Sequence, residues 1–143
     1  MTRPEIRRAI AKWKKLLWCG QWDFNSRYVR LEDSRTLAQT KVEHEYLQAT
    51  FEFPMDRLEE LMEKEIVHEI VHVVLAPLSY PAMEVLAKSN SEKEWMRGQV
   101  EIVTSKLTRI LCAMQKVDWE APRRKSVKSK KAHRKNKHPK KGV

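Results

Sequence analysis

Glu65–Pro77 reads EIVHEIVHVVLAP, and the way this run folds decides the architecture of the chain. Six of the eleven residues from Glu65 to Leu75 are β-branched: Ile66, Val67, Ile70, Val71, Val73 and Val74. Propensity alone favours a strand. The polar residues argue otherwise. Glu65, His68, Glu69 and His72 fall at i, i+3, i+4 and i+7, which is one stripe of a helix. In a strand Glu69 would face away from both histidines, and His68 and His72 would stand roughly 13 Å apart at the usual rise per residue. On a helix the two imidazoles sit one turn apart. The rest of the run is apolar almost all round, so the spacing predicts a helix at the centre of the fold.

Working outward from this helix, Asp56 is a candidate N-cap with Glu59 three residues on, and Pro77 is expected to stop the helix at about Ala76. Residues 77–91, with two prolines and Ser89-Asn90-Ser91, read as a connection, with a short helical turn at Ala82–Lys88. A last helix follows from Ser91 or Glu92 to about Lys116. Its apolar stripe is Met96, Val100, Val103, Leu107, Leu111 and Met114, the expected core face. A second stripe, Glu94, Gly98, Glu101, Ser105 and Thr108, is small and acidic, and Gly98 would allow close helix approach.

Upstream, Ile6, Ile10, Trp13 and Leu17 recur at helical spacing after Pro4, predicting an amphipathic helix over 4–17 that Gly20 breaks. Its basic face suits a membrane surface or nucleic acid, although such a helix more commonly lays its apolar stripe on a core. Trp22–Val29, Leu37–Val42 and Tyr46–Phe53 carry alternating patterns and read as strands, with His44-Glu45 as a turn and Pro54 as the stop. The predicted fold is α+β: a small antiparallel sheet of about three strands packed on an N-terminal helix, a central helix carrying the two histidines, and a C-terminal helix.

The 143 residues carry a formal net charge of +10, but the charge is uneven. From Pro122 to Val143 there are eleven Lys or Arg and no acid, whereas Met1–Ala121 holds 18 basic and 19 acidic residues, a net −1. The chain therefore divides into a domain over 1–121 and a basic tail over 122–143. The tail is expected to be disordered, to bind nucleic acid or an acidic partner non-specifically through residues 123–141, and to lack the aromatic rings needed for base stacking. Cys19 and Cys112 have no CxxC partner, which argues against a disulfide framework or a cysteine zinc ribbon. No run approaches the ~18 uninterrupted apolar residues of a membrane span. A cytoplasmic location is the expectation.

Burying two imidazoles and a carboxylate in an apolar helix is costly without partners. A zinc ion would supply them, with His68 and His72 coordinating through neutral nitrogens and Glu69 hydrogen-bonded to water beside the ion. The bland alternative is a pair of ordinary hydrogen-bonded histidines. VHEIVH at 67–72 resembles the active-site helix of zincin metallopeptidases, and the order of elements is similar to a compact zincin of the SprT-like or minimal gluzincin type, often encoded by phages and bacteria. The resemblance covers roughly residues 1–115, and only HExxH in it is specific. It implies a zinc-dependent hydrolase of peptide bonds, with Glu69 as general base and a sheet edge able to hold an extended peptide.

A third protein ligand is then required. The extended zincin pattern with a third histidine is absent, since VVLAPLSY follows His72. Glu101, mid-helix on the small stripe, is the assignment, ahead of Glu94, Glu92 and His44. Tyr80 and His44 are the available donors for a developing oxyanion, and neither is assigned. The alternative function is a non-catalytic zincin scaffold that binds nucleic acid or a partner through its tail.

Overall fold

A computed structural model describes residues 1–117. The basic tail, and every expectation placed on it, lies outside the described residues. The elements in chain order are α1 (Arg3–Leu16), β1 (Asp23–Val29), β2 (Gln39–Glu43), a 3-10 turn at His44–Tyr46, β3 (Gln48–Pro54), a second 3-10 turn at Leu58–Glu60, α2 (Glu63–Leu86) and α3 (Asn90–Met114). The α+β class is as the sequence indicates.

α1 buries Ile6, Ala9, Ile10 and Trp13, one stripe of its surface. It ends four residues before Gly20. Trp18 adopts a left-handed conformation (φ 57°), the Trp18 N–H donates to the Lys15 carbonyl, and the Cys19 N–H reaches the Lys14 carbonyl at 2.9 Å. This is a Schellman cap with tryptophan in the position that glycine usually fills. For an L-residue the conformation costs roughly 1–2 kcal/mol.

The sheet is mixed rather than antiparallel. Its order is β1-β3-β2, with β1 parallel to β3 and β2 antiparallel to it. Strand composition explains the order. β3 presents Ala49, Phe51 and Phe53 to the core and is the most apolar strand, so it takes the centre, where both edges are covered. β2, QTKVE, is too polar for that place and pairs on one side only. The segment 30–38 is long enough to carry the chain past β3, and Arg57 pins it by donating to the Ser34 and Thr36 carbonyls.

α2 differs from expectation at both ends. Asp56–Glu60 does not start it, because Leu61 must first be buried in extended backbone; the helix begins after Met62, whose N–H donates to the Glu65 carboxylate at 3.0 Å. Nor does Pro77 end it. Pro77 and Pro81 are both exposed, four residues apart on the outer face, so neither ring is forced into the packed core, and the helix continues to Leu86 without the main-chain bonds that the two prolines cannot donate. At 24 residues α2 is the one described helix long and apolar enough, by length and composition, to cross a membrane. Its first half is packed inside this fold: Ile66, Val67, Ile70, Val71 and Val73 join Phe51, Phe53, Trp13 and Trp22 in the core. Glu63 ties α1 to its start by accepting from the Trp13 indole N–H at 2.6 Å and from Lys12 at 2.7 Å.

α3 is capped by Ser89, whose hydroxyl accepts from the Glu92 N–H while the Glu92 carboxylate accepts from the Ser89 N–H at 2.9 Å. The face it turns inward is the small one. Thr104, Thr108 and Cys112 are fully buried, whereas Val103, Leu107 and Met114 stay exposed. Short side chains let α3 lie close to the β-branched ridge of α2, and larger ones would hold it off. Gly98 has no part in that approach: a Cβ built there meets nothing within 4 Å.

Candidate metal centre

α2 carries His68 and His72 one turn apart on the stripe turned toward α3. Helical geometry sets their Nε2 atoms 3.1 Å from each other. α3 brings Glu101 against both. One carboxylate oxygen lies 3.0 Å from His68 Nε2 and the other 3.1 Å from His72 Nε2. The three side chains form a group that could hold a metal ion.

Proton bookkeeping supports a cation here. Each Nε2 can offer either one proton or one lone pair. If both carry protons toward Glu101, two N–H groups confront each other across 3.1 Å. If one donates to the other, the second has no proton left for the carboxylate. No assignment makes good hydrogen bonds of all three edges. Three lone-pair donors around one ion meet no such conflict, and donors at ~2.0–2.1 Å from a tetrahedral zinc are separated by roughly 3.3 Å, close to the spacing observed.

Supporting contacts fix the orientation. The buried Thr104 hydroxyl lies 3.4 Å from His72 Nδ1, where it can accept the ring proton and leave Nε2 free to ligate. Burial pushes the His72 pKa down, the neighbouring His68 adds to the fall, and Glu101 opposes it. Low basicity keeps an imidazole neutral, the form that binds metals.

Glu69 is not among the converging ligands. It is buried on the adjoining side of α2, and burial pushes its carboxyl up to about 7. The Thr40 hydroxyl on β2 offsets part of the rise and the Glu101 charge adds to it. That hydroxyl is close enough to act on Glu69, although it makes no hydrogen bond of ordinary geometry. A cavity of about 480 Å³ opens over the cluster, lined by Thr40, His68, Glu69, His72, Tyr80 and Glu101 among others. β2 forms one wall, with its outer edge unpaired among the described strands.

The other residues weighed from sequence fall elsewhere. Glu92 serves the α3 cap, Glu94 is exposed on α3, and His44 packs edge-on against Tyr80 with ring centroids 5.4 Å apart. Tyr80 lines the cavity. Thr104 and Thr40 were not foreseen. Thr104 lies one turn beyond Glu101 and could have been found by extending that stripe to its polar flank; Thr40 is placed by strand pairing, for which spacing gives no signal. Compared with family models, with curated proteins and with solved structures, the chain finds no match in any of the three.

Proposed function

We propose that this chain is a zinc-dependent peptidase of the HExxH type. The observation that carries the reading is the convergence of His68, His72 and Glu101 beside a buried carboxylate whose pKa lies near neutrality. His68, His72 and Glu101 would hold a zinc ion with three protein donors, the number found in catalytic rather than structural zinc sites. Zinc bound there would polarise a carbonyl and bring the pKa of water toward ~7.

The chain's own residues do the rest. Glu69 takes a proton from the attacking water as oxygen adds to the amide carbon. It returns the proton to the amine as the C–N bond breaks. Thr104 holds His72 in the ligating tautomer. The unpaired edge of β2 beside the cavity suits an extended peptide, bound through main-chain hydrogen bonds.

The test combines zinc content with hydrolysis of a mixed peptide library. Glu69→Gln is expected to retain stoichiometric zinc and lose activity by on the order of 10²–10⁴-fold. His72→Ala is expected to lose the zinc. Equal zinc in wild type and His72→Ala would overturn the metal site, and a zinc-loaded wild type that cleaves nothing would overturn the peptidase while leaving the site.

A further inference from the structure

Charge is distributed unequally within the described body itself. Residues 1–30 hold eight Lys or Arg against Glu5 and Asp23, a net +6, while residues 31–117 hold ten basic and fifteen acidic residues, a net −5. Three of these eight cations share one face of α1. Arg3, Arg7 and Lys14 fall at i, i+4 and i+11 of α1, one face spanning about 16 Å, and Trp18 follows in the cap beyond the last turn. That face borders β1. The Arg3 guanidinium lies 4.5 Å from the centre of the Tyr28 ring, and the Lys14 ammonium 5.1 Å from that of Phe24. No carboxylate ion-pairs with Arg3, Arg7 or Lys14 among the described residues.

Trp18 ends the seam, and local stability does not explain it. Its backbone is in the left-handed region, which glycine would occupy without strain, and its ring is 88% exposed, so little packing compensates. The chain's nearby glycine, Gly20, has no positive φ. Strain held at a solvent-exposed aromatic, next to cations that no carboxylate neutralises, is a mark of a binding surface.

We infer that the α1–β1 seam binds single-stranded nucleic acid, with Arg3, Arg7 and Lys14 contacting phosphates and Trp18 stacking on a base. Every base has a π-face, so an exposed indole beside a line of cations grips a strand without reading its sequence. The sheet order separates this surface from the metal centre. β1 and β2 are opposite edges, two strand spacings or roughly 10 Å apart with β3 between them. A strand on the β1 side therefore leaves the β2 side clear, and the acidic remainder of the body turns the polyanion toward the seam. The inference does not rest on the metal or on hydrolysis.

The test uses the full chain, basic tail included, titrated against a labelled oligothymidylate over a series of salt concentrations. Trp18→Gly relieves the backbone strain while removing the ring. It is expected to melt at the same temperature as wild type or higher, and to bind about tenfold more weakly with an unchanged salt slope. Trp18→Phe should retain most of the affinity. Arg3→Ala with Arg7→Ala should reduce the slope of log K against log salt by about 1.4, the loss of two phosphate contacts to a single strand. If the folded Trp18→Gly and Arg3→Ala/Arg7→Ala proteins bind as wild type does, all binding belongs to residues 122–143 and the inference fails. It fails equally if the seam variants lose adsorption to phosphatidylserine vesicles but not to the oligonucleotide.

Discussion

α2 and α3 contribute to the same candidate metal-binding group from opposite kinds of helix. α2 is apolar on most of its first half, and its polar residues are the exceptions. α3 is polar over most of its length, and its apolar residues are the ones that mislead: Val103, Leu107 and Met114 are exposed while Thr104 and Thr108 are buried. In an apolar helix, then, a polar residue marks the candidate site. In a polar helix, an apolar residue does not by itself mark the core.

The largest effect that tests this contrast is in stability. Ile70 is fully buried on α2, and Val103 on α3 is 46% exposed. Ile70→Ala should cost about 2–5 kcal/mol, because it removes packed methylenes and leaves a cavity. Val103→Ala should change stability by less than about 0.5 kcal/mol. Urea unfolding of the two variants measures both. A comparable loss for Val103→Ala would mean that another surface covers the outer face of α3, and that the apolar stripe is a core after all.

A smaller effect separates two threonines that look alike in burial. The Thr104 hydroxyl faces His72 Nδ1, whereas the Thr108 hydroxyl donates to the Thr104 carbonyl at 2.8 Å, a bond within α3. Thr104→Val should weaken zinc binding on the order of 10–100-fold, since the imidazole proton loses its acceptor. Thr108→Val should leave zinc affinity unchanged. Competition against a chromophoric chelator reads the difference, and equal affinities would remove Thr104 from any role at the metal.

Much of the site was legible because its signal is local. His68 and His72 are a single helical turn apart, and periodicity alone brings them together. Glu101 was legible for a weaker reason, its place on a small-residue stripe, and the structure does bring it to both histidines. What could not be read depends on pairing. The strand order follows from competition among three strands for the central position, and the polar alternation of QTKVE at 39–43 does not say which partner it takes. Pro77 differs from the expectation because its effect depends on which face it occupies: outward, its ring meets no packed neighbour, and the helix continues at the loss of one main-chain donor.

Gly98 supplies the smallest effect and the one decided by sign. Had it been needed for α3 to approach α2, a methyl there would clash and destabilise the pair. Nothing lies within 4 Å of that position, and the residue is exposed in the middle of a 25-residue helix. Glycine there contributes only conformational entropy to the unfolded chain. Gly98→Ala should therefore raise stability by roughly 0.5–1 kcal/mol with zinc affinity unaltered. A loss instead, seen as a lower urea midpoint at constant slope, would mean that the helices close more tightly than their present separation, with the small stripe on α3 as the surface that permits it.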